Sequence, residues 1–212
     1  MPLGNFKKIL VLAPHTDDGE LGCGGTIAKA ISNGTSVTYV ALSSAEKSLP
    51  TGFPPGTLEK ELFEATGILG IPKEHVVCLD FEVRHFSTHR QAILEELFRL
   101  KKDLDPDLVF APSLYDLHQD HKVVAEECRR IFKRTTMLGY EMPWNNISFD
   151  TFAFSILKRE HVDKKIQALQ CYKSQGHKEY FQENFIESLA ITRGVQINSR
   201  YAEAFEVVRW IM

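Results

Sequence analysis

No two of the four cysteines, Cys23, Cys78, Cys128 and Cys171, are spaced as a CxxC pair. A zinc knuckle or dithiol redox motif built on neighbouring thiols is therefore excluded, and the cysteines read as small, reduced, buried residues. An excess of basic charge is also missing: 25 Lys and Arg stand against 28 Asp and Glu, a net charge of −3. The electrostatic footprint of a nucleic-acid binder is thus absent. The N-terminal apolar stretch, ILVLA at 9–13, is too short to span a bilayer and is ended by His15 and Asp17. No small-residue cleavage site accompanies it, so a cytoplasmic protein without an integral membrane segment is expected. Repeats, low-complexity tracts and long linkers are absent as well. The remainder, 212 residues with 43% hydrophobic and 25% charged, fits one large domain that buries a substantial core.

Along the chain, short apolar or β-branched runs alternate with amphipathic stretches. Strands are expected at 9–13, 36–44, 75–81 and 106–112, and helices at 21–33, 57–69, 88–104 and 119–134. The 88–104 stretch is the clearest helix, with Ile93, Leu94, Leu97, Leu100 and Leu104 at helical spacing. Strands alternating with helices imply right-handed βαβ units. The expected architecture is a single-domain, Rossmann-like three-layer α/β/α fold with a mostly parallel sheet. Ligands in such folds bind at the carboxyl ends of the strands.

Two such ends carry unusual chemistry. After the first strand comes APHTDDGELGCGG, residues 13–25; after the fourth comes SLYDLHQDH, residues 113–121. Adjacent carboxylates repel and are costly to desolvate, and a cation would offset that cost. His15, Asp18 and His121 would form a His₂–carboxylate set, the donor number of catalytic zinc with one position left open. Asp17 would remain to take a proton, although its side chain need not point the same way as that of Asp18. His118 would polarise a carbonyl or protonate a leaving group, its charged form favoured by Asp120 nearby. Asp120 would hold one imidazole in its working tautomer. Simpler readings stand beside these: Asp17 and Asp18 as helix caps, His118 and His121 as surface residues. The glycines at 19–25 do not match G-x-G-x-x-G, and three acids beside them would repel phosphate. They fit close helix–strand packing instead.

PHTDDGELGCGGT and HQDH resemble the two signatures of the LmbE-like, or PIG-L, N-deacetylases, which usually read A-H-P-D-D-E and H-x-D-H. RGVQINSRYAEAF, 193–205, resembles that family's carboxy-terminal segment, so the likeness covers nearly the whole chain as one domain, 1–212. The resemblance implies a zinc hydrolase, with one Zn²⁺ per chain or another divalent transition metal, that removes an N-acyl group from a small amino sugar or its conjugate. It makes His15, Asp18 and His121 the ligands, Asp17 the general base, and His118 the group that stabilises the intermediate or assists departure of the amine. Two departures are evident: Thr16 replaces the usual proline, and Gly19 stands where the family has glutamate, with Glu20 one residue late. Arg84 and Arg193 are candidate substrate contacts, each with a structural salt bridge as its alternative. MPWNN, 142–146, and YKSQGHKEYF, 172–181, mix aromatic and polar residues as carbohydrate sites do. Trp144 belongs either to such a site or to the core, and His177 reads as a solvated loop histidine, with reach to the rim from a mobile loop as its alternative. Self-association is left open. Two other functions also remain: hydrolysis of a different small ester or amide, and a catalytically silent sugar binder.

Overall fold

In the computed structural model, which describes residues 6–212, the central strands turn alternate side chains into two separate cores. The expectation concerning a leader sequence falls partly on residues 1–5, outside those described. In β1 (Lys8–Ala13), Ile9, Val11 and Ala13 face one core while Leu10 and Leu12 face the other. That two-residue period, apolar on both faces, is what a strand covered by helices on both sides requires. The remaining elements follow in the order α1 (Asp18–Ser32), β2 (Ser36–Ala41), α2 (Thr57–Leu69), β3 (Val76–Cys78), α3 (Arg90–Leu104), β4 (Leu108–Pro112), α4 (Gln119–Ile131), β5 (Thr136–Tyr140), β6 (Ala153–Leu157), α5 (Arg159–Leu169), α6 (Glu183–Val195) and β7 (Tyr201–Arg209).

The seven strands form one sheet in the order β3-β2-β1-β4-β5-β7-β6. The first five of that order run parallel, whereas β7 is antiparallel to both β5 and β6. Helices α1, α2 and α5 pack together on one face, and α3 packs with α4 on the other. The expected Rossmann-like α/β/α architecture is therefore present. The expected second and third strands are shorter than read, because the chain leaves the sheet after Ala41 and Cys78 to build the rim above it. No helix among the described residues is long and apolar enough to cross a membrane.

β1 is flanked by β2 on one side and β4 on the other, so connections leave the sheet in opposite directions there. The crevice of such a switch point lies at the carboxyl ends of β1 and β4. Both unusual sequence clusters follow those two strands. Close packing of α1 on the sheet depends on Gly22: a Cβ there would lie 2.4 Å from the Tyr140 ring of β5.

Candidate metal and catalytic centre

The turn after β1 closes on itself. Asp18 Oδ2 accepts the His15 backbone N–H at 2.8 Å and lies 3.0 Å from His15 Nδ1. Asp17 occupies the N-cap position of α1 but makes no side-chain cap bond, so the capping alternative is not realised. Asp17 lines the crevice.

The turn after β4 is held from below by Glu206 of β7, which accepts from Ser113 Oγ at 2.8 Å and from the Leu114 N–H at 3.0 Å. Asp116 then accepts the His118 backbone N–H at 2.8 Å on one oxygen and holds His121 Nδ1 at 2.7 Å on the other. His118 is the N-cap of α4, its Nδ1 accepting the Asp120 N–H at 3.2 Å. Asp120 in turn lies 3.1 Å from His15 Nε2 and accepts the backbone N–H groups of Arg84 (2.6 Å) and Phe86 (3.3 Å).

These contacts leave His15 Nδ1, His121 Nε2 and Asp18 Oδ2 facing one another. Their separations are 3.0 Å (His15–Asp18), 3.2 Å (His121–Asp18) and 3.4 Å (His15–His121). Donors about 2.0–2.1 Å from a tetrahedral ion stand about 3.3 Å apart. The donor set and its edges therefore fit a zinc-like divalent ion, with the far nitrogen of each imidazole already fixed by a carboxylate. The three imidazoles His15, His118 and His121 also offer one nitrogen each within 4.8 Å of one another, so His118 is a further donor within reach.

Burial and charge set the ionisation of this cluster. Burial opposes the charged form of His15, but the Asp18 carboxylate beside it and the bond to Asp120 lift it to about 8. His121 is likewise lifted against burial, to about 10, by the charge of Asp18 and the bond to Asp116. Burial also opposes ionisation of Asp18, yet the two imidazolium neighbours hold its carboxyl well below the usual range. Asp17 is raised by burial and by the Asp18 charge, against the pull of Lys178 and His15. His118 is pushed down to about 4 by burial and by its two imidazole neighbours. Asp120 favours the charged form of His118, as the sequence reading has it, but burial and the two imidazoles outweigh it.

The crevice is a cavity of about 250 Å³. Arg84 lines it from a left-handed backbone conformation (φ 70°), its guanidinium 3.2 Å from Ser48 Oγ. Arg193 does not line it: its guanidinium forms an ion pair with Glu141 and bonds to Gln196. The structural salt bridge is thus the reading the geometry supports for Arg193. Trp144 is a wall of the cavity, stacked on Tyr180 with ring centroids 3.9 Å apart at 11°, and 39% exposed. His177 does not line the cavity, whereas Lys178 does.

Sequence reasoning missed Asp116 at this site, although as an acid five residues before His121 it carried a signal. Asn145, Gln175 and Lys178 line the crevice from MPWNN, 142–146, and YKSQGHKEYF, 172–181, the stretches whose mixed aromatic and polar residues read as carbohydrate-site candidates, but no single residue of the three was legible because their approach is set by distant packing.

Comparison with known proteins agrees with this geometry. The family described as PIG-L, GlcNAc-PI de-N-acetylase, matches residues 10–132. The probable N-acetyl-alpha-D-glucosaminyl L-malate deacetylase 2 of Bacillus anthracis is 29% identical over 188 residues, spanning 81% of this chain and 82% of that protein. The diacetylchitobiose deacetylase of Thermococcus kodakarensis is 27% identical, spanning 98% and 85%. Among solved structures, the N,N'-diacetylchitobiose deacetylase of Pyrococcus horikoshii superimposes with a TM-score of 0.81 at 22% identity, over 98% of this chain and 85% of that one.

Proposed function

The chain belongs to the PIG-L family of de-N-acetylases, and from that premise we propose that it is a zinc-dependent hydrolase that removes an acetyl group from the amine of an N-acetylglucosamine-type sugar. The observation that carries this reading is the donor triangle of His15 Nδ1, Asp18 Oδ2 and His121 Nε2, with edges of 3.0–3.4 Å. The two relatives named above act, by their names, on conjugates of that sugar type, which supports the substrate class. A bound divalent ion would supply Lewis acidity, polarising the acyl oxygen and lowering the pKa of a water.

The chain's own residues supply the rest. Asp17 accepts the proton of the attacking water. Burial and the Asp18 charge make it a stronger base than an ordinary carboxylate. His118 is neutral above about pH 4, and because its Nδ1 accepts a backbone N–H, its proton sits on Nε2. That Nε2–H donates to the oxygen on which negative charge develops as water adds to the acyl carbon. When the C–N bond breaks, the proton held by Asp17 passes to the departing nitrogen, leaving acetate and a free amine. Arg84, Lys178 and the Trp144–Tyr180 wall orient the sugar and whatever it is joined to.

Two variants of adjacent residues test the assignment. Asp18→Ala should lose the metal and amine release together. Asp17→Asn should keep the metal and lose ~10²–10⁴ in kcat, the range for a positioned acid–base group. Full metal content in the Asp18 variant, or near-normal turnover in the Asp17 variant, would overturn the corresponding role.

A further inference from the structure

Beneath the donor triangle, two buried phenols converge on one backbone carbonyl, and a buried carboxyl joins them. Tyr39 of β2 and Tyr172, just beyond α5, both direct their phenol oxygens at the Thr16 carbonyl, at 2.9 and 2.8 Å. Tyr39 Oη also accepts the Gly19 N–H at 3.0 Å. The Glu20 carboxyl completes the group, in contact with Tyr39 on one oxygen and 3.1 Å from Tyr172 on the other. Glu20 and Tyr39 have no exposed surface, and Tyr172 has almost none.

The hydrogen count fits. The two phenols own one hydrogen each, and both are satisfied by the Thr16 carbonyl, which has two lone pairs. A carboxyl hydrogen on Glu20 then accounts for its contact with one of the two phenol oxygens.

Thr16 lies between His15 and Asp17, and Gly19 follows Asp18 directly. Holding the Thr16 carbonyl and the Gly19 N–H therefore fixes both ends of the segment that carries Asp17 and Asp18, directly after His15. The space is allotted just as tightly. A Cβ at Gly19 would lie 2.4 Å from the Tyr39 ring and 2.7 Å from its oxygen. In this chain the room that a side chain at 19 would need is filled by Tyr39, and the carboxyl enters from position 20.

We propose that Glu20, Tyr39 and Tyr172 act as positioning residues, a buried bracket that sets the spacing of the His15–Asp18 turn. The inference rests on the proposed function only in taking that turn to hold a metal.

The test uses the full chain with Tyr39→Phe/Tyr172→Phe, Glu20→Ala and Glu20→Gln. Three properties are read: Co²⁺ affinity from its visible absorption, hydrogen exchange of the Gly19 amide, and Tm. The double Phe variant and Glu20→Ala should bind Co²⁺ about 10- to 100-fold more weakly, the usual loss when groups behind metal ligands are removed. In the double Phe variant the Gly19 amide should exchange faster at temperatures well below Tm. Glu20→Gln keeps one donor and one acceptor, so it should restore wild-type affinity. A lower Tm with unchanged affinity and unchanged Gly19 exchange would make the trio mere packing and overturn the proposal. If the wild-type protein binds no Co²⁺, the metal reading fails and Gly19 exchange alone decides: faster exchange upholds the bracket, unchanged exchange rejects it. Should the double variant not fold, Tyr39→Phe alone carries the same expectations, because Tyr39 Oη is the acceptor of the Gly19 N–H.

Discussion

His118 and His121 sit three residues apart at one helix entrance, yet their imidazoles are driven in opposite directions, to about 4 and about 10. Both are opposed by burial; the difference lies in the partners. His121 has Asp116 on one nitrogen and Asp18 beside the other, whereas the Nδ1 of His118 meets only a backbone N–H. In the proposed reaction His118 would therefore act as a neutral donor. His118→Ala should keep the metal, lower kcat by ~10²–10³ with little change in KM, and leave any alkaline limb of the pH profile in place. Loss of the metal would make His118 a ligand, and disappearance of an alkaline limb would make it a cationic acid. At this scale the sequence displayed His15, Asp17, Asp18, His118, Asp120 and His121, because charged groups at strand ends stand out against apolar flanks. It could not display that Asp120 serves His15 from 105 residues away, nor that Arg193 is neutralised by Glu141, since both depend on how the sheet is ordered.

The expected first helix, 21–33, is longer in the structure and broken within. α1 starts at Asp18, and Cys23 leaves helical geometry (φ −145°, ψ 21°). The break frees backbone groups in a buried place, and a buried ion pair takes them up. Lys165 of α5 donates to the Leu21 carbonyl at 2.7 Å and to Glu203 of β7 at 2.7 Å. Glu203 accepts the N–H groups of Gly25 (3.0 Å) and Thr26 (2.7 Å). Removing one member strands the other charge, which costs about 3–5 kcal/mol for a buried pair. Glu203→Leu should therefore be destabilised by that order in urea unfolding. A loss below about 1 kcal/mol, the size of an exposed pair, would show that the pair does not secure the break. The sequence showed helices and strands by their periods, but the glutamates of YAEAFEVVR look like a solvent face. Glu203 and Glu206 are instead buried, because each has a polar turn to hold.

At the scale of the molecule, the parallel strands β1 to β4 were legible, since they are apolar runs between amphipathic helices. β5, also parallel, and β6 and β7 with their antiparallel pairings were not. TMLGY is short, and β7 mixes apolar and acidic residues whose burial only the finished sheet explains. Stability should register the site that this sheet creates. In chelator-treated protein, His15, His121 and Glu20 all have folded pKa values above their ordinary ones, at about 8, 10 and 8. Each therefore contributes stability that is lost as pH rises through its folded pKa. His118, shifted the other way, acts only between about 4 and 6.5. The Tm of the stripped protein should thus fall from pH 6.5 to 9, and zinc should raise Tm more at pH 9 than at pH 6.5, because binding displaces the imidazole protons. A stripped protein whose Tm rises over that range would contradict the charge assignments. The central claim, that the crevice between β1 and β4 removes acetyl groups from amino sugars with one metal ion, meets its most direct test in a single titration. Stripped protein is supplied with increasing Zn²⁺, and primary amine released from N-acetylglucosamine, diacetylchitobiose and a malate-linked N-acetylglucosaminide is measured. Amine release should rise from baseline and level off near one ion per chain; release that ignores the metal, or none from any of these amides, would contradict the account.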